Sequence, residues 1–287
     1  MELFKSKIKD LCVILIFIAL LILGTKFDFK FSDSIYSGKN WMNFFIACIA
    51  KMPAYFVLMY ACVTLFVLAL KKENKSEKIV MCFVYTLGAV ISGMLMFEDM
   101  AEVFVDGIAK YAIAAVIGIA LIAYLYFFLH DQDQEKLQSF KKEYLVVIVS
   151  IAIIVIAVFA IKSIMDRTRF ADLLERQGKF TEWYQRGTGG DSMPSGHMAL
   201  AVALFAAVPV FRKMQLFKKF GYLYYPVIAL YALSVGISRV SFGMHFLSDV
   251  AVAGIVAFVI SKAVTWIFLG FKEDNLEIKE GSILNKL

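Results

Sequence analysis

Two stretches of this sequence hold its most specific chemistry, MPSGH at positions 193–197 and SRVSFGMHFLSD at positions 238–249. Each lies where an apolar segment begins or ends, and together they hold two of the 3 histidines of the chain. Upstream, Lys162 and Arg169 close another apolar segment and are about two helical turns apart. The sequence therefore predicts a fold that gathers the ends of several apolar segments at one place.

The composition identifies the class of protein. Of the 287 residues, 61% are hydrophobic and 19% are charged, whereas soluble globular domains are roughly 45–50% apolar. The chain is therefore predicted to be a multi-spanning membrane protein. All four cysteines lie in or beside apolar runs, so we expect neither a disulfide nor a metal site. They are Cys12, Cys48, Cys62 and Cys82.

The apolar runs indicate how many helices cross the membrane. A helix needs roughly 20 apolar residues to cross the hydrocarbon core. Eight runs are near or above that length, at 9–27, 52–70, 79–97, 107–129, 144–163, 196–211, 221–239 and 245–270. This pattern predicts an all-α fold, a polytopic membrane helical bundle of about eight transmembrane helices. The first run ends without a convincing cleavage site, so we expect it to remain as an anchor.

Basic residues predict the orientation of the bundle. They cluster in five segments, at 5–9, 71–78, 136–142, 212–219 and 272–286. Basic loops favour the cytoplasmic side of a membrane. We therefore expect a multi-pass protein of the cytoplasmic membrane with both termini inside and with residues 164–195 and 240–245 on the outer face. Because the cations are scattered, the net charge of +6 does not indicate a nucleic-acid partner.

The block at 193–197 has the features of an anion site at a helix start. Ser195 is a favourable N-cap, and Gly196 lets a ligand approach the backbone closely. Free backbone N–H groups at a helix start bind anions. His197 would place a titratable imidazole beside such an anion, ready to protonate a leaving oxygen. Alone, the block is more typical of an ordinary helix start, so its meaning depends on the other two blocks.

The block at 238–249 adds a second histidine with a carboxylate. His245 and Asp249 have the i, i+4 spacing that places two side chains on one helix face, so we expect Asp249 to hold one ring nitrogen of His245. Arg239, with Lys162 and Arg169, would supply positive charge for the oxygens of a transferring phosphoryl group. Each cation alone is more typical of a snorkelling anchor. The combination predicts phosphoryl transfer without a metal or other cofactor.

The three blocks together resemble the signature of the type 2 phosphatidic acid phosphatase superfamily. The pattern is Lys-x6-Arg, then Pro-Ser-Gly-His, then Ser-Arg-x5-His-x3-Asp, over residues 162–249. This sequence departs from the family in having Phe170 where a proline usually follows the arginine. It also has five spans before the second block, where membrane members of the family typically have three.

The resemblance implies a role for each residue of the site. His245 would be the nucleophile that forms phosphohistidine, Asp249 would orient it, and His197 would be the general acid and later the base for water. Ser238 would contribute only packing. The expected phosphate ligands are Lys162, Arg169, Ser195, Gly196 and Arg239.

The resemblance also implies the organisation of the chain and its substrate. We expect one continuous membrane domain in which residues 1–140 form an N-terminal extension with the first core helices. Residues 141–271 would form the phosphatase catalytic core, in the C-terminal half, and residues 272–287 a cytoplasmic tail. The partners implied are membrane lipids and a lipid phosphate or diphosphate. Undecaprenyl diphosphate is the first expectation, with phosphatidic acid or phosphatidylglycerol phosphate next. The oligomeric state is left open.

Three other functions are compatible with parts of the sequence. A phosphotransferase would pass the phosphoryl group from histidine to an acceptor other than water. A transporter would distribute its charges through the membrane depth or repeat one half of its fold, whereas these charges gather at one end. An inactive lipid-binding relative would not need both histidines and Asp249.

Overall fold

The computed structural model of the protein describes residues 2–38, 40–176, 179–187, 189–214 and 220–270, and their regular elements are all helical. Two short 3-10 helices are Leu204–Ala207 and Gly221–Leu223. The α-helices are α1 (Glu2–Ile35), α2 (Trp41–Ile49), α3 (Met52–Ala69), α4 (Lys75–Ala101), α5 (Ile108–His130), α6 (Gln134–Ser139), α7 (Lys141–Met165), α8 (Phe170–Arg176), α9 (Gly196–Ala203), α10 (Val208–Lys213), α11 (Tyr224–Ser241) and α12 (Leu247–Leu269). The predicted all-α fold is confirmed.

Length and composition make 7 helical segments of the described chain candidates for membrane spans. They are Ile8–Ile35, Trp41–Ala69, Lys75–Ala101, Ile108–His130, Lys141–Glu175, Gly196–Lys213 and Leu247–Leu269. The run predicted at 221–239 is present as the 18-residue helix α11, which is more polar because it holds three tyrosines and Arg239. The polytopic bundle of about eight helices is therefore confirmed.

Helix α9 lies at the centre of the bundle. Its residues from Met198 to Ala203 are all buried, and it packs against α7, α11 and α12. Helices of the N-terminal half surround this group, since α1 packs along α12, α3 packs on α7 and on α4, and α2 packs on α11. The 196–211 segment is short because other helices, rather than lipid, surround it. The expected boundary at residue 140 falls at Phe140, between α6 and α7, and the expected tail at 272–287 lies outside the described residues.

Small residues let α1 approach α12 closely. A Cβ added to Gly254 would lie 2.4 Å from Cε1 of Phe17. A Cβ on Gly24 would lie 2.8 Å from the backbone nitrogen of Ser248 and 2.9 Å from Oδ1 of Asp28. Helix interfaces in membranes rely on such close approach, because van der Waals packing drives much of their association. Helix α1 is thus packed into the same bundle as the C-terminal helices.

Replacing Gly24 with alanine should destabilise the bundle. The added methyl group would displace the backbone at Ser248, and overpacking of this kind costs about 1–3 kcal/mol. We expect Gly24→Ala to lower the Tm measured in detergent. The control Gly221→Ala should leave the Tm close to the wild-type value, because an added Cβ there lies 3.9 Å from its nearest neighbour, in the Tyr224 ring. Equal Tm values for the two variants would contradict the close packing of α1 on α12.

Candidate active site

A cavity of about 610 Å³ lies where α7 ends and α9 begins. Other residues that line it come from α2, α3 and α4 of the N-terminal half. Ser195 and Asp249 are fully buried and lie outside the lining. The predicted site residues that do line the cavity are Lys162, Arg169, Gly196, His197, Arg239 and His245. The structure therefore brings residues of all three sequence blocks to one place.

His245 lies in the loop between α11 and α12. Gly243 turns the chain there with a φ of 76°, in the left-handed region that glycine adopts readily. The His245 ring is buried, and its Nδ1 lies 2.5 Å from the carbonyl oxygen of Ser192. Because a carbonyl oxygen only accepts hydrogen bonds, Nδ1 carries the proton and Nε2 keeps a free lone pair. Burial, together with the positive charges of Lys162 and Arg239, holds the pKa of His245 well below its usual range.

Asp249 has different partners from those that the spacing predicts. Its Oδ2 accepts hydrogen bonds from the Ser192 hydroxyl at 2.6 Å and from the Phe246 backbone at 2.8 Å, and its Oδ1 accepts one from Arg167 at 2.6 Å. The expected direct contact with His245 is wrong because α12 begins at Leu247, so His245 precedes the helix and the i, i+4 geometry does not apply. Ser192 instead connects the two residues, since its hydroxyl binds Asp249 and its carbonyl binds His245.

Arg167 is a fully buried cation that the sequence patterns do not single out. It donates hydrogen bonds to Asp249, to the Ser248 hydroxyl at 2.8 Å and to the Asp28 carboxylate at 3.0 Å. The Phe246 ring covers its guanidinium, with the centroid 4.2 Å away. Asp28 also accepts a hydrogen bond from the Ser248 backbone at 2.9 Å. One buried arginine thus joins the first helix of the chain to the start of α12.

A local signal for this network is present in the sequence. Asp28 stands between Phe27 and Phe29, just after the predicted span 9–27. A carboxylate in such an apolar context needs a partner, because an isolated charge inside a membrane protein is costly. The partner itself is not apparent from spacing, since Arg167 is 139 residues away along the chain.

The three predicted phosphate-binding cations differ in how they are held. The Lys162 ammonium donates to the backbone carbonyl of Asp191, and Arg169 pairs with the Asp191 carboxylate at 2.8 Å. Arg239 is buried and lies over the Phe242 ring, 5.4 Å from its centroid. Among the described residues, the buried Nε groups of Arg169 and Arg239 have no hydrogen-bond partner. These unsatisfied donors indicate a place for an anion, because buried donors are normally paired.

The start of α9 has the geometry that the second block predicts. Ser195 is the N-cap, and its side chain accepts a hydrogen bond from the Met198 backbone at 3.4 Å. Its own N–H donates to the Asp249 carbonyl at 3.2 Å, so only its hydroxyl is left to donate to a ligand. Helix geometry leaves the N–H groups of Gly196 and His197 without intrahelical acceptors. The capping prediction is confirmed, and the helix start presents donors at the cavity.

His197 contacts the N-terminal half of the chain. Its Nε2 lies 3.3 Å from Oδ2 of Asp99, in the last turn of α4. Oδ1 of Asp99 pairs with the Lys51 ammonium at 2.9 Å. In the sequence, Asp99 is noticeable only as part of an acidic turn between two spans, and nothing there connects it with the histidine.

Three aromatic residues precede the second block, Phe180, Trp183 and Tyr184, and they lie partly inside the protein. Phe180 packs against Phe246, with ring centroids 5.3 Å apart. The Trp183 indole donates a hydrogen bond to the Thr25 hydroxyl at 2.8 Å, and Tyr184 is exposed. Of these three rings, Tyr184 alone has the exposure expected of a residue in the headgroup layer.

Comparison with known proteins agrees with the geometry of the site. No curated protein and no solved structure gives a significant match to the chain. Residues 143–273 match the family model of the PAP2 superfamily. The matched range contains all the predicted site residues and α9 to α12. This match over residues 143–273 agrees with the resemblance of the three sequence blocks to the type 2 phosphatidic acid phosphatase superfamily.

Proposed function

We propose that the protein is an integral membrane phosphatase that hydrolyses a lipid phosphate or diphosphate at the outer face of the membrane through a phosphohistidine intermediate. The observation that carries the proposal is the shared cavity, which is lined by two histidines and four cations, among them the three predicted phosphate-binding cations. Members of the family are phosphatases, and the chain has several membrane-spanning helices. Both facts support a phosphate ester of a membrane lipid as the substrate.

The tautomer of His245 supports its role as the nucleophile. Its Nδ1 proton is bound by Ser192, so the lone pair of Nε2 is free to attack phosphorus. The N–P bond would form as the bond to the leaving oxygen breaks, and imidazolium His197 would give that oxygen a proton. In the second step, neutral His197 would take a proton from water, whose oxygen attacks the phosphohistidine. Inorganic phosphate would leave and His245 would be restored.

The cations would stabilise charge on the transferring group. Three non-bridging oxygens carry the negative charge, and fixed donors around them lower the barrier. Arg239 and Arg169 each have an unpaired Nε–H that can bind such an oxygen. The pair of Arg169 with the exposed Asp191 is the kind of surface ion pair that contributes little, so a phosphate can replace it readily. Lys162 and the Gly196 N–H complete the proposed ligand set, which needs no metal, and the buried Ser195 supports it as the N-cap of α9.

The part of the cavity wall that α7 forms is apolar, which supports the proposal of a lipid substrate. The cavity is lined there by Ile154, Val155, Val158 and Phe159. The Phe159 side chain also reaches the outer surface of the bundle and is 66% exposed. An apolar chain could therefore pass from the bilayer into the cavity beside Phe159, and burying each methylene contributes roughly 0.8 kcal/mol.

Substitution of the two cavity histidines should affect turnover differently. His245→Ala should abolish phosphate release from a purified lipid phosphate in detergent, because it removes the proposed nucleophile. His197→Ala should lower the rate by about 10²- to 10⁴-fold, the range of general acid catalysis. His130→Ala is the control, since His130 is exposed at the end of α5. Phosphate release by His245→Ala at the wild-type rate would contradict the proposed mechanism.

The proposed orientation can be tested by cysteine labelling. In a cysteine-free background, Gln185→Cys should react with an impermeant thiol reagent added outside the cell, because Gln185 is exposed in the loop before α9. Ser76→Cys, at the exposed start of α4, should react only after the membrane is permeabilised. The opposite pattern would place the cavity on the cytoplasmic side.

A further inference from the structure

The proposed general acid is bound by a carboxylate from outside the family domain, which is the name used here for residues 143–273 that match the family model. His197 and Asp99 are 98 residues apart in sequence, and the side chains of both are mostly buried, with 18% and 22% exposed. Because a carboxylate accepts hydrogen bonds, the Nε2 atom of His197 carries a proton that points to Asp99. Asp99 and Lys51 line the same cavity as His197.

Asp99 is itself fixed on two sides. Lys51, between α2 and α3, lies 2.9 Å from its Oδ1 and 3.6 Å from the Glu98 carboxylate. The Cys48 thiol lies 3.6 Å from the Asp99 backbone oxygen, within range of a weak hydrogen bond. The lysine binds one oxygen of the Asp99 carboxylate and so determines which way the second oxygen faces. That second oxygen is the one that meets His197.

The charges around His197 explain why it needs such a partner. Arg239 and Lys51 are both cations that line the same cavity as His197, and His245 lines it too. Two nearby positive charges disfavour the imidazolium form, which is the form that a general acid requires. Asp99 supplies the opposing negative charge at hydrogen-bond distance.

We propose that Asp99 is a positioning residue for His197, holding its Nε2–H so that the proton on Nδ1 is the one given to the leaving group. This inference rests on the proposed phosphatase function. The carboxylate takes no proton in the reaction; it orients the ring and stabilises the imidazolium that forms. The helices that precede the family domain thereby contribute to the chemistry, and the general acid reaches its full rate only when Asp99 of α4 is in place.

A comparison of two leaving groups separates this role from a structural one. An alkyl alkoxide is a poor leaving group that needs protonation, whereas a nitrophenolate leaves without a general acid. The two substrates are dodecyl phosphate and a nitrophenyl phosphate carrying the same dodecyl chain. Asp99→Asn should lower kcat/KM, which reports the step in which the leaving group departs, by about 10- to 100-fold for the first substrate, less than loss of the acid itself, and change kcat/KM for the second by less than about 3-fold. Retained turnover of the nitrophenyl ester also shows that the variant is folded.

Two further variants test the assignment. Glu98→Gln removes the same charge from the neighbouring residue, which contacts Lys51 but is not among the residues that line the cavity, so it should affect neither substrate strongly. Adding Asp99→Asn to His197→Ala should lower kcat/KM for dodecyl phosphate no further, because the effects of two residues that act through one another are not additive. Equal losses on both substrates, or an additive double variant, would overturn the inference while the phosphatase function stands. A wild-type protein that releases phosphate from neither substrate would overturn both.

Discussion

The arrangement of the site depends on one buried charge. The Arg167 guanidinium has no exposed surface, and it binds the carboxylates of Asp28 and Asp249 at 3.0 Å and 2.6 Å. Removing one partner of a buried ion pair costs about 3–5 kcal/mol, because the other charge is left unpaired away from water. Arg167, Asp28 and Asp249 must therefore lie in contact in the folded protein. Their contact fixes the positions of α1, the segment after α7 and the start of α12 relative to one another. Through Ser192, the same network fixes the His245 ring.

The N-terminal helices contact the family domain through two buried or partly buried carboxylates. Asp28 of α1 binds Arg167 and Ser248 behind the cavity, while Asp99 of α4 meets His197 at its lining. Asp99 contacts the proposed general acid itself. Asp28 contacts Arg167, which in turn binds Asp249. In the proposed mechanism, the two catalytic histidines are therefore positioned by different parts of the chain. His245 contacts Ser192, inside the family domain, and His197 contacts Asp99, outside it. This gives the first 140 residues a part in the site as well as in the bundle.

The sequence predicted most of the reactive groups but few of their partners. Apolar run lengths gave the helical bundle, and short patterns of reactive side chains located His197, His245 and the cations, because those features are local. The i, i+4 rule failed for Asp249 because it assumes a helix, whereas Gly243 turns the chain and α12 starts only at Leu247. Arg167 and Asp99 were missed because their partners lie 139 and 98 residues away, and such pairings depend on how the helices pack.

The central claim is that phosphoryl transfer passes through His245. It is tested most directly by mixing the protein with a lipid phosphate labelled at phosphorus, quenching the reaction in alkali within one turnover and mapping the label by mass spectrometry of peptides. Phosphohistidine survives alkali and is lost in acid, so the account predicts an acid-labile label on the peptide that contains His245, absent from His245→Ala. Release of labelled phosphate with no label on the protein, or with the label on another residue, would contradict the account.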